Sequence, residues 1–102
     1  MRRIARELVR RGHRVRWLTG AAFRARVEGT GADYCAFQEG FDYSRPELVP
    51  DHLQADRDCL HGLNKLRFDL ATFFIRPCEG YCKDLLRLHE ESPAELLVCD
   101  SF

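Results

Sequence analysis

No stretch of this chain is apolar for the roughly 20 residues that would span a bilayer, and its 102 residues carry no net charge. The first absence excludes a transmembrane helix. The second removes any overall drive toward nucleic acid or anionic lipid. A secretory signal needs an unbroken apolar core, and arginines interrupt every candidate near Met1. Without such a signal, an odd set of five cysteines points to reduced thiols and a cytoplasmic setting rather than to a disulfide framework. Internal repeats and low-complexity tracts are also lacking. What remains is an ordinary globular balance, 45% hydrophobic and 31% charged, in a length that suits one domain and not two.

The charge is unevenly spread. Arg2, Arg3, Arg6, Arg10, Arg11, Arg14, Arg16, Arg24 and Arg26 face only Glu7 and Glu28, while Glu79, Asp84, Glu90, Glu91, Glu95 and Asp100 collect toward the other end. An Arg-rich, acid-poor opening is shared with mitochondrial transit peptides, but here it runs straight into a strand and a second helix. The arginines read better as the solvated face of a helix than as a nucleic-acid or membrane surface.

Met1, Ile4, Ala5, Leu8 and Val9 recur at helical spacing and form one apolar stripe. Gly12 is placed to close that helix in the left-handed conformation. Arg14–Thr19 then reads as a short strand, with Trp17 in the core. A helix follows from about Ala21 to Thr30, with Phe23 and Val27 inward, and Tyr34–Phe37 reads as a second strand. Helix, strand, helix, strand with short connections favours parallel strands joined by crossover helices, an α/β architecture. Residues 38–56, with Gly40, Pro46 and Pro50, read as a long polar loop of the kind that carries function. Helical spacing returns from about Asp58 to Phe74, is interrupted at Pro77, and resumes through Tyr81, Leu85 and His89. Leu96–Cys99 is a continuous apolar run, as expected of a parallel strand covered on both faces.

Open α/β sheets bind ligands beyond the carboxyl ends of their strands. Those ends would be Thr19–Gly20, the loop after Phe37, and Asp100–Ser101–Phe102. A carboxylate there is placed to orient an acid or base. Such a domain usually opens with a strand, whereas Met1 already lies inside a helical stripe. The chain is therefore expected to be the interior of a longer domain, cut at both ends.

Arg3-Ile4-Ala5-Arg6-Glu7-Leu8-Val9-Arg10-Arg11-Gly12-His13 through Leu18-Thr19-Gly20 resembles the first helix and second strand of the nucleotide-sugar-dependent glycosyltransferases of the macrolide and flavonoid type. Phe23–Glu28 with Gly31-Ala32, Asp84–Leu88, and Pro93–Ser101 are similar to later pieces of the same family, in the same order and spacing. The resemblance implies an incomplete Rossmann-like parallel sheet with flanking helices, the N-terminal half-domain of a GT-B enzyme with its first strand missing. Residues 1–102 would be part of the acceptor-binding domain, and the C-terminal nucleotide-sugar domain would be absent. In this family transfer inverts the anomeric centre without a metal. A histidine deprotonates the acceptor hydroxyl, and an aspartate hydrogen-bonds that histidine, which holds the tautomer and stabilises the imidazolium. The aspartate matches Asp100. The histidine belongs to a Gly-His-x-x-Pro stretch expected upstream of Met1, and His13 lies at the wrong end of a strand to replace it.

The resemblance thus implies a small apolar hydroxylated acceptor, a hexosyl donor carried by a nucleotide, no bound cofactor, and no activity for the chain alone. Gly20, Phe73, Phe74, Ser101 and Phe102 are the expected acceptor-binding residues. Phe73, Phe74 and Tyr81 read equally well as core. Cys78 and Cys82, with Cys59, His61 and His89, invite a zinc reading. Their x3 spacing on an apolar helix face suits small buried hydrophobes better than a C-x2-4-C knuckle. His52 reads as solvated. Two other functions compete, a non-catalytic interaction module and a basic nucleic-acid-binding domain. Exposed strand edges should favour self-association.

Overall fold

The computed structural model describes residues 1–100. Helix α1 spans Arg2–Arg10 and ends through Gly12, whose φ of +88° lets its N–H reach Val9 O and the next N–H, of His13, reach Leu8 O. Strand β1 is Arg16–Leu18. A 3-10 turn at Ala21–Phe23 leads into α2, Arg24–Glu28, and strand β2 is Asp33–Cys35. The two strands are parallel, with Trp17 opposite Tyr34. The element order read from the sequence therefore holds through β2, and the described chain is α/β with a two-stranded parallel sheet and flanking helices.

The small core is drawn from α1, α2 and the turn that precedes β2. Ala5, Val27 and Ala32 are buried, and Thr30 closes the end of α2 by donating from its hydroxyl to Val27 O at 2.6 Å. Phe23, expected inward, is instead exposed, with the Arg26 guanidinium lying 5.9 Å from its ring centroid. The α1 stripe also stays largely open: Met1 and Ile4 are exposed, and only Ala5 is buried.

Residues 38–56 are not wholly loop. Pro50 and Asp51 start α3, Asp51–Asp58. A proline at a helix entrance loses no intrahelical bond, and an aspartate in the first turn opposes the helix dipole, so both residues read as loop formers were in fact a start signal. Helix α4, Gly62–Asp69, continues through widened π-type turns at Leu70–Ile75. Arg57 joins α3 to the end of α4 through a two-pronged ion pair with Asp69, at 2.7 and 3.2 Å. Helix α5, Cys78–Glu91, begins right after Pro77.

Leu96–Cys99 does not form the expected third strand. It has no regular secondary structure and joins no sheet, and Leu96, Leu97 and Val98 are exposed. An apolar strand needs a hydrogen-bonding neighbour and cover on both faces. The Arg16 side chain reaches the end of α5 instead, where the carbonyls of Leu88 and Ser92 accept its hydrogen bonds. The radius of gyration is 16.1 Å, against about 13 Å for a compact chain of this length. The arrangement is elongated and thinly cored.

Candidate functional site

Beyond the carboxyl ends of β1 and β2 the chain makes one tightly tied loop. The Asp42 carboxylate accepts the backbone N–H of Ala21 at 2.8 Å, and both the N–H and hydroxyl of Ser44, at 2.9 and 2.6 Å. Ser44 Oγ in turn accepts the N–H of Ala22 at 3.1 Å. Burial pushes the Asp42 carboxyl up, but these donors outweigh it and hold the group below its ordinary value. Gly20 makes the approach possible, since a Cβ there would lie 2.4 Å from Asp42 Oδ1 and from Ser44.

The same loop is held from its other side by α5. Asp84 is completely buried, and its carboxylate accepts the successive backbone N–H groups of Gln38, Glu39 and Gly40 at 2.8 to 3.2 Å. Burial raises its carboxyl, yet the Gly40, Glu39 and Gln38 amides together with Arg87 bring it below the usual aspartate range. Glycines on both sides permit the contact. A Cβ on Gly80 would be 2.3 Å from Glu39 O, and one on Gly40 would be 2.3 Å from the Tyr81 ring. Tyr81 donates its hydroxyl to Phe41 O at 2.7 Å.

Between this loop and the start of α5 lies a cleft of about 340 Å³. Phe41, Tyr43, Val49, Leu53 and Phe73 supply its apolar walls, and Glu39, Arg76, Glu79 and Lys83 its charged rim. The Tyr43 hydroxyl donates to Phe73 O and bridges the two sides. The Tyr43 ring meets Phe41 edge-on at 4.7 Å and Phe73 at 6.2 Å between centroids. Burial raises both tyrosine phenols above their ordinary value, most strongly that of Tyr81, so each remains a donor at neutral pH. At the rim Lys83 pairs with Glu79 at 2.8 Å. The slot is open, with aromatic and aliphatic walls and an edge that carries two acidic and two basic side chains.

Of the residues expected at a site, Phe73 lines this cleft, and Gly20 lies beside the loop that forms it. Phe74 is about half exposed on the helical segment and does not line the cleft. Asp100 is exposed in the irregular segment after α5 rather than at the end of a strand. Ser101 and Phe102 lie outside the described residues. Cys78 and Cys82 are exposed on α5, not buried as the sequence suggested, and Cys78 Sγ lies 2.9 Å from Phe74 O. No group of three or more His, Cys, Asp or Glu among the described residues could hold a metal ion. No helix among them is long and apolar enough to cross a membrane.

Sequence reasoning missed Asp84, Phe41 and Tyr43. A carboxylate in an acidic stretch reads as surface. The available signal was the Gly80–Asp84 pair one turn apart, which puts a small residue and an acceptor on the same inward face of a helix.

The architecture is α/β, and its cleft is walled by the loop that follows β2 and by the helical segments after it. No protein-family model matches the sequence, and no solved structure matches it. The chain is 39% identical over 100 residues to 4'-demethylrebeccamycin synthase of Lentzea aerocolonigenes. The match covers 95% of this chain and 23% of that protein, so the chain spans about a quarter of the length of the curated relative it matches. The similarity supports a relationship to a glycosyltransferase.

Proposed function

We propose that residues 1–102 are part of the N-terminal acceptor-binding domain of a GT-B glycosyltransferase. The whole enzyme transfers a hexosyl group from a nucleotide sugar to a hydroxyl of a small apolar acceptor, in the cytoplasm. The observation that carries this reading is the 39% identity along almost the entire chain. The cleft supports it: Phe41, Tyr43 and Phe73 offer aromatic walls to a polycyclic or aromatic acceptor. Asp100 is the partner of a catalytic histidine supplied from outside this chain. It orients that imidazole and stabilises the imidazolium formed when the acceptor hydroxyl is deprotonated. Residues 1–102 taken by themselves bind acceptor and do not transfer sugar.

The test has two arms. In calorimetric titration the flavonol quercetin should bind the chain and should bind Phe73→Ala at least tenfold more weakly. Incubation with UDP-glucose and quercetin should yield no glucoside. Failure to bind removes the acceptor-domain reading, and glucoside formation removes the claim of inactivity. A second reading, a non-catalytic interaction module, is favoured by the exposed apolar Leu96, Leu97 and Val98.

A further inference from the structure

Asp84 is buried to 0% exposure, yet it does not line the cleft. Burying a carboxylate is costly unless its oxygens are satisfied, and an apolar side chain at such a position usually packs more cheaply. Its oxygens are satisfied here by three consecutive backbone amides, those of Gln38, Glu39 and Gly40. Consecutive N–H groups converging in this way form a concave anion-binding nest, and in this protein the nest is filled by a side chain of its own. The next residue along is Phe41, and its carbonyl is held by the Tyr81 hydroxyl, a turn before Asp84 on the same helix. Gly80 lets Glu39 O settle directly on that helix. Successive turns of α5 therefore grip residues 38–41, and the loop so held carries Phe41 and Tyr43 into the cleft wall.

We infer that Asp84 is a positioning residue: by gathering the amides of Gln38, Glu39 and Gly40 it holds the Phe41–Tyr43 wall in the shape that receives an apolar hydroxylated aromatic acceptor. This inference rests on the proposed acceptor site for its ligand, but not for its geometry. Asp84 acts through the loop and touches no substrate.

The test compares the full chain with Asp84→Asn and, as a control, Val27→Ala in the small core. Asparagine keeps the size of the side chain but loses the charge and turns one acceptor into a donor facing N–H groups. Quercetin should bind Asp84→Asn at least tenfold more weakly, with far-UV circular dichroism retained and the near-UV tyrosine signal of Tyr43 and Tyr81 reduced. Val27→Ala should keep binding within about twofold and keep the tyrosine signal. Equal binding and an unchanged tyrosine signal in Asp84→Asn overturn the inference. Should Asp84→Asn fail to fold, hydrogen exchange on the unaltered chain decides: the 38–40 amides must be protected without ligand, and fast exchange there overturns the latch. Absence of quercetin binding by the unaltered chain counts against the glycosyltransferase reading, while the tyrosine signal and exchange still judge Asp84.

Discussion

Gly80→Ala separates a packing requirement from a helix preference. Gly80 lies within α5, where alanine in place of glycine would ordinarily stabilise by about 1 kcal/mol. A Cβ at that position, however, would sit 2.3 Å from Glu39 O, 2.7 Å from Glu39 C and 3.0 Å from Gly40 Cα. All three atoms are backbone, so no rotamer change relieves the contact. Restoring ordinary separation requires the 38–40 loop to withdraw by about 1 Å. The Asp84 hydrogen bonds, now 2.8 to 3.2 Å, would then approach 4 Å and cease to be useful. Leaving a buried carboxylate short of even one donor costs about 1.5–3 kcal/mol, which exceeds the helix gain. The net expectation is a loss of about 0.5–2 kcal/mol. With a urea dependence near 2 kcal/mol per molar, the unfolding midpoint should fall by about 0.3–1 M. Gly12→Ala is the comparison: φ is +88° but no atom lies within 4 Å, so only backbone strain of about 1–2 kcal/mol applies. Urea melts followed by far-UV circular dichroism measure both. A Gly80→Ala variant more stable than the parent would refute the reasoning.

Acid should loosen the same loop. Asp42 and Asp84 both have folded values below the ordinary aspartate value, about 3.9. Their contribution is therefore fully present above that value and is lost as pH falls through the lower folded values, so the tyrosine near-UV signal should hold from neutrality to about pH 5 and decline below it. A decline centred near neutral pH would contradict this. Arg16→Ala should detach β1 from the C-terminal carbonyls of α5 and cost about 1–3 kcal/mol in the same melts, with Arg16→Lys recovering part because it cannot reproduce the fork. Exposure of Leu96, Leu97 and Val98 predicts concentration-dependent association in sedimentation velocity, and Leu97→Lys should shift the chain toward monomer. No difference between the two proteins would remove that segment from the interface.

The first half of the fold was legible because its signals are local. Gly12 closes α1, a three-residue strand follows, and Gly31 leads into the parallel partner. The second half was less legible because tertiary partners decide it. Leu96–Cys99 has the composition of a covered strand, but strand formation needs a hydrogen-bonding neighbour and cover on both faces, and the segment joins no sheet. Leu63, Leu66 and Leu70 keep helical spacing and are nonetheless exposed, so periodicity identified the helix without identifying what covers it. For the site, Phe73 was within reach of pattern reasoning as an aromatic on a helix. Asp84 was not, because its role depends on a loop more than forty residues away in sequence. The Pro50–Asp51 start of α3 was readable but was outweighed by the density of turn formers around it.

The most direct test is amide chemical-shift mapping of the 15N-labelled chain titrated with quercetin. Saturable shifts should concentrate at Phe41, Tyr43, Leu53 and Phe73 and leave Ala5, Val27 and Ala32 unmoved. Shifts absent throughout, or gathered around α1 and α2 instead, would contradict an acceptor cleft between the Asp84-held loop and Phe73.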